Sequence, residues 1–287
     1  MLAFHIKDKQ MGYFFILPAA LMLLAVIVYP AMYSLKLSFT SESGGLYSLT
    51  NYVELFRDAL FWQAFRNTLV FVGVVATFHL IIGLAIAMAL NTRIKARLLF
   101  RLIVLLPWTV PDVVAGITWK WIYDPVYGAL NDLLSRLNLI HAPILWLSDP
   151  GLALSSIIFA DIWRGFPFVM LILLAGLHAI PKELYEASRI DGASSFQSFR
   201  YITLPGLKKM VVVALALDII WEFRRFGLVQ AMTQGGPGHQ TEVFSTLIYK
   251  EYFQFFRFEY ASAIAVIMSI ILLSLSLPYI WMISKEQ

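Results

Sequence analysis

"TLVFVGVVATFHLIIGLAIAMAL", residues 68–90, holds one histidine and no formal charge in 23 positions. A helix crosses the hydrocarbon core of a bilayer with about 20 apolar residues, so this stretch reads as a membrane-spanning helix. The composition around it agrees. Of 287 residues, 60% are apolar and only 14% charged, where soluble domains carry roughly 25% charged residues. The deficit runs the whole length, which predicts a polytopic membrane protein and not a globular domain on one anchor.

Six such spans are predicted, at about 12–34, 68–90, 99–121, 153–176, 210–232 and 260–282. The fold class is therefore all-α, and residues 1–287 read as a single transmembrane domain with no break in composition. The first span follows Lys7 and Lys9 but exceeds the ~7–15 apolar residues of a signal segment. It is expected to be retained. Pro107 and Pro111 should bend the third span, which buried helix neighbours tolerate. Residues 128–140, "GALNDLLSRLNLI", show helical spacing but are too short to cross, so they are placed on the membrane surface.

With six spans both termini share one side. The termini, residues 91–101 and residues 182–209 together hold 12 Lys and Arg, against 7 in the alternate loops. The positive-inside rule then makes both termini cytoplasmic. The net charge of +4 needs no nucleic acid to explain it.

Between the fourth and fifth spans lies a hydrophilic interruption, "ELYEASRIDGASSFQSFRYITLPGLKK", residues 183–209. Pro181 is a plausible helix start, and 183–189 contain no Gly or Pro. Gly192 permits a sharp turn. Ser194 or Ser195 can cap a second helix through Phe199 and Tyr201, closed by Pro205. The reading is a helix, a turn and a helix lying across the cytoplasmic face. Its small residues leave room for another protein to approach; the alternative is a solvated loop.

Glu186-Ala187-Ser188, then Gly192, Ile202, Leu204 and Pro205, reproduce the spacing EAA-x3-G-x9-I-x-LP, with Ser188 replacing the second Ala. This resembles the permease subunits of bacterial ATP-binding-cassette importers, and "IPKELYEASRIDGASSFQSFRYITLP" resembles their carbohydrate-uptake branch. Further similar segments begin at Trp119, Trp163 and Thr233. The resemblance implies that 181–206 is a coupling helix seated in a separate ATPase subunit. Glu186 would be its polar anchor, Ala187 and Ser188 its close-packing face, Gly192 its turn, with Asp191 and Ala193 beside that turn. It also implies a second related, non-identical permease, two ATPase subunits holding ATP and Mg, an extracytoplasmic solute-binding protein, and the bacterial inner membrane as location.

The chain itself is expected to be no enzyme. It contains no G-x4-G-K-[ST] phosphate loop, and His5, His79, His141, His178 and His239 are scattered without metal-ligand spacing. No cofactor or metal is expected. His79 is read as packed against a helix neighbour. With no cysteine, disulfides and thiolate sites are excluded.

Charges inside spans cost roughly 2.5–3.5 kcal/mol each, or more. Asp161 and Arg164, three apart in the fourth span, are assigned as an ion pair fixing helix packing. Asp218, Glu222, Arg224 and Arg225 fall in the fifth, with Trp221 interleaved, and are assigned to a polar substrate path. Asp112 is a further candidate. Aromatic rings among bidentate donors suit a sugar. If the solute is anionic, such as a phosphorylated polyol or sugar acid, Arg224 or Arg225 would meet it. Asp218 and Glu222 also leave open an ion-coupled secondary transporter. Trp108, Trp119 and Trp121 are read as interfacial anchors.

Overall fold

In the computed structural model, residues 13, 15–41, 48–92 and 95–284 are described, with side chains as far as Leu277. Lys7, Lys9, Arg93 and Lys285, counted above for orientation, lie outside them. Among the described residues every regular element is helical. Contacts divide the chain into two units, residues up to 58 with 248–270, and residues 59–247 with those from 271 onward.

The first unit contains α1 (Phe15–Ser38) and α2 (Thr50–Arg57). No part of the most apolar window of α1 is buried within the chain, as expected of a helix that faces lipid or another subunit. Asn51 ties the connection between α1 and α2. Its amide donates to the Ser38 and Thr40 carbonyls at 2.9 and 2.8 Å. In the same unit Arg257 pairs with Glu54, lies 4.1 Å above the Tyr260 ring and reaches Glu251 at 3.4 Å.

The second unit begins with α3 (Ala59–Asn91), which contains the opening stretch and starts nine residues before it. Those added residues are accommodated by long-range bonds. Asn67 donates to the Gln240 and Glu242 carbonyls, both at 3.0 Å, and Gln63 to the His239 carbonyl at 2.9 Å. The third expected span is broken into α4 (Arg97–Thr109) and α5 (Asp112–Ile122), whose axes meet at 94°. Pro111 forces the preceding Val110 into extended backbone (φ −75°, ψ 128°), and the helix cannot continue through it. The short helix expected within 128–140 is α6 (Ala129–Arg136). Its buried Asn131 accepts from Trp146 Nε1 at 3.0 Å and donates to the Ile144 carbonyl at 3.0 Å.

Helix α7 (Ala153–Ala179) packs along α3 and forms the centre of the unit. Small residues allow the approach. A Cβ on Gly83 would stand 3.0 Å from the Met170 backbone, and one on Gly165 would collide with the His79 ring. Two apolar clusters result. One gathers Phe71, Val75, Trp119, Ile157 and Leu228; the other gathers Ala87, Met170, Leu173, Leu207 and Ala214. Trp119 is therefore a core residue, tilted against the Tyr123 ring and edge-to-face with Phe159 and Trp163, not an interfacial anchor.

The interruption after α7 folds as α8 (Lys182–Ile190), a turn, and α9 (Ser195–Ser198). Pro205 does not close the second helix. The chain runs on through a π-helical turn, Phe199–Thr203, into α10 (Leu204–Phe223), with Pro205 just after the wider turn. The fifth expected span, 210–232, is not one helix. α10 ends at Phe223, and α11 (Gly227–Met232) follows after a break. Then come α12 (Phe244–Tyr249) and α13 (Phe258–Ser284). By length and composition α1, α3, α7 and α13 suffice to cross a membrane, and α4 with α5 pass as a bent pair.

Candidate functional site

Five elements bring charged groups into the apolar second unit. Helix α3 supplies His79, α5 supplies Asp112 in its first turn, and α7 supplies Asp161 and Arg164. Helix α10 supplies Asp218 and Glu222, and the break after it supplies Arg224 and Arg225. The break exists because Arg225 leaves the helical path. The Arg225 N–H donates to the Glu222 carbonyl at 3.0 Å, and Ser245 Oγ donates to the Arg225 carbonyl at 2.6 Å.

Arg225, 9% exposed, is the hub. Its Nε donates to Glu222 Oε2 at 3.0 Å and its Nη2 pairs with Glu222 Oε1. Nη1 donates to both Asp112 oxygens at 3.1 and 3.2 Å. Asp161 Oδ1 stands 3.1 Å from Nε as an ion pair, without the alignment of a hydrogen bond. One guanidinium thus serves three carboxylates, two of them fully buried. The fork geometry of arginine makes this sharing possible. Arg164 pairs with Asp112 and donates from Nε to the Val110 carbonyl at 3.2 Å, satisfying backbone freed by the α4–α5 break.

The assigned Asp161–Arg164 pair is therefore corrected. Spacing of three residues allowed the pair, but each side chain finds a partner on another element. Glu222 and Arg225, also three apart, do pair, with Arg225 lying past the end of α10.

His79 is completely buried and more than a packing residue. Its Nδ1 is 3.0 Å from both oxygens of Asp218, and its Nε2 is 3.2 Å from the Asp161 carbonyl. His79, Asp218 and Glu222 are the one described trio with metal-ligand proximity, their donor atoms lying within 4.8 Å. Both Glu222 oxygens are taken by Arg225 and both Asp218 oxygens by His79, so the trio is satisfied inside the protein.

Beside the knot opens a recess of about 310 Å³, at the small end of ligand sites, which span ≈300–1,000 Å³. Its wall carries Trp108, Phe168 and Trp221 in a row, with ring centroids 5.9 and 4.4 Å apart. Asp112, Arg164 and Arg224 supply the polar side. Asp112 is 31% exposed, so it faces both the knot and the opening. Among the described residues Arg224 has no carboxylate partner. Asp218, Glu222 and Arg225 also border the recess, with their polar atoms turned into the knot. Sequence reasoning missed Trp108 and Phe168. Trp108 was assigned to the membrane interface, and the signal that would have placed it was its position one turn before the helix-breaking Pro111.

The coupling candidates lie apart from this site. Glu186, Ala187 and Ser188 sit on α8, with Glu186 and Ala187 exposed and Ser188 half-buried. Asp191 caps the helix C-terminus, and Gly192 turns the chain at φ +76°, in the left-handed region that favours glycine. Ala193 follows. Ser194 then builds a complete capping box with Gln197. The two arms are joined by Ser188 Oγ to Ser198 Oγ at 3.1 Å and Tyr185 to Thr203 hydroxyls at 3.0 Å. Ile190 and Phe196 project outward, 87% and 71% exposed.

The profile of a family described as "Binding-protein-dependent transport system inner membrane component" matches residues 80–283. Among characterised sequences, the trehalose/maltose transport system permease protein MalF of Thermococcus litoralis is 37% identical over 279 residues, covering 96% of this chain and 94% of that protein. Among solved structures, a bacterial ABC transporter involved in the import of the acidic polysaccharide alginate superposes with TM-score 0.86 at 25% identity, covering 98% of this chain and 97% of its own. A bacterial alginate ABC transporter in complex with alginate pentasaccharide-bound periplasmic protein gives TM-score 0.84, also at 25% identity, covering 95% and 93%.

Proposed function

Because the chain belongs to the family of binding-protein-dependent transport system inner membrane components, we propose that it is one membrane-spanning subunit of an ATP-driven importer, carrying a sugar or sugar derivative by alternating access. The observation that carries the substrate class is the recess. Three aromatic rings in a row meet two guanidinium groups and a carboxylate there. A sugar ring packs its C–H face on aromatic surface while its hydroxyls bond charged groups. Similarity to a trehalose/maltose permease and to an alginate importer supports a carbohydrate.

In this reading the chain crosses the bacterial cytoplasmic membrane six times, by α1, α3, the bent α4–α5 pair, α7, α10 with α11, and α13. Both termini are cytoplasmic, and residues 1–287 act as one permease domain. The 181–206 loop then meets an ATPase subunit, where ATP and Mg are held. One loop serves one ATPase, so a second, non-identical permease completes the pair. A periplasmic binding protein delivers the solute, supported by the family description and the alginate complex. An ion-coupled transporter would need carboxylates free to cycle, whereas Asp218 and Glu222 are engaged by His79 and Arg225.

Uptake by the assembled transporter in vesicles tests the recess. Trp221→Ala should lower sugar uptake about tenfold, by loss of aromatic contact at a binding hot spot. ATPase subunits should still co-purify. Unchanged uptake would remove the recess from the path.

A second reading, an anionic solute, is favoured by Arg224, exposed in the recess with no described carboxylate partner. Arg224→Gln should cut uptake of an anionic sugar about tenfold and leave that of a neutral sugar within about twofold. Equal loss for both solutes would mean that Arg224 does not read charge.

A further inference from the structure

At the opposite end of α4 from the recess, Arg97 and Arg101 stand one turn apart on the same helix face. Arg97 Nη2 donates to His178 Nε2 at 2.9 Å, which requires that nitrogen to be unprotonated and the imidazole neutral. Arg101 and Lys182, the first residue of α8, lie close enough to act on His178 electrostatically. Three cations thus surround a neutral ring. Among the described residues none of the three has an acidic partner, and neighbouring Glu183 pairs with none of them. Arg97 Nε and Arg101 Nε and Nη2 are sequestered from water with no hydrogen-bond acceptor. Like charges with unmet donors at a membrane boundary are costly unless an anion answers them.

Beside the arginines runs an apolar stripe. Leu98, Leu102 and Leu106, four apart, are all more than half exposed, with Leu99 and Ile103 next to them. Basic donors at the head of an exposed apolar stripe match an amphiphile with an anionic head and acyl tails. A free phosphate would use the donors and leave the stripe without a purpose.

We propose that Arg97, Arg101 and Lys182 form a binding site for the phosphate headgroup of an anionic phospholipid, whose acyl chains lie along the Leu98–Leu102–Leu106 stripe of α4. The outward edge of each guanidinium would meet a phosphodiester oxygen, and clustered basic residues at the cytoplasmic ends of spans attract anionic lipid. The assignment to the cytoplasmic leaflet rests on the orientation proposed above. Lys182 opens α8, so the bound headgroup would bridge the start of α4 and the start of the coupling helix.

The test is native mass spectrometry of the full chain with its co-purified partners in detergent, supplied with phosphatidylglycerol, phosphatidylcholine or inorganic phosphate. The wild type should retain phosphatidylglycerol about tenfold better than phosphatidylcholine. Arg97→Gln/Arg101→Gln should erase that preference. Arg136→Gln, which removes an exposed arginine on α6, should leave it intact. If the double variant does not purify, Arg101→Gln alone carries the test with about fivefold loss. Equal retention of the two lipids, or preference kept by the variant, would overturn the site. So would displacement of phosphatidylglycerol by millimolar inorganic phosphate, which would reassign the donors to a free anion. The readout needs neither sugar nor ATP hydrolysis, so failure of the importer reading would show in uptake and not here.

Discussion

Arg225→Ala should destabilise the protein more than any other single change in the polar knot, by about 3–5 kcal/mol. The substitution leaves Asp161 and Glu222, both fully buried, without a cation, and removes one of two cations from Asp112. Water cannot replace the guanidinium at those two buried carboxylates. Arg164→Ala offers the contrast. Asp112 keeps Arg225 and is partly open to the recess, and the Val110 carbonyl loses its donor, so that change should cost about 1–2 kcal/mol. Thermal unfolding followed by size-exclusion chromatography in detergent compares them. Similar midpoints for the two variants would show that the knot does not centre on Arg225. Arg225→Lys should fall between, because one ammonium keeps the charge but cannot fork to several carboxylates.

The second large effect concerns the turn between α8 and α9. Gly192→Trp should reduce uptake by about thirtyfold or more, the loss expected when a docking hot spot is blocked. Two causes can be separated. Gly192 has positive φ, so any side chain strains the turn, yet a Cβ there meets nothing within 4 Å. Gly192→Ala therefore isolates the backbone penalty, roughly 1–2 kcal/mol, and should leave most uptake and all ATPase co-purification. Gly192→Trp adds bulk on the surface offered to the partner, and the ATPase should no longer co-purify. If the tryptophan variant transports like the alanine one, this turn is not the contact with the motor.

Much of this architecture was legible in the residues, and the failures have physical causes. The span at 68–90 was plain because its apolar run is unbroken. Its extension back to Ala59 was not, since Gln63 and Asn67 are satisfied by carbonyls more than 170 residues away. Pro111 announced a bend, but 94° depends on what α4 and α5 pack against. The capping box at Ser194 is local chemistry and could be read locally. The charged pairs could not. Residues three apart on a helix are able to meet, yet Arg164 lies nearer to Asp112, and Asp161 to Arg225, because separate helices converge there. The same convergence ended α10 at Phe223, where hydropathy alone continued the span to 232.

The length of α3 sets a boundary for everything at its N-terminal end. Thirty-three residues at 1.5 Å each make a rod of about 50 Å, while the hydrocarbon layer is only about 30 Å thick. Leaning alone could hide that rod only at roughly 53° from the bilayer normal, beyond the 0–40° such helices adopt. About two turns or more must therefore extend past the hydrocarbon layer, and Gln63 and Asn67, bonded to the 239–242 carbonyls, fall at the N-terminal end where such turns can lie. Under the orientation proposed above, that end of α3 and the 239–244 segment bonded to it would face outward, where the proposed solute-binding protein would meet them.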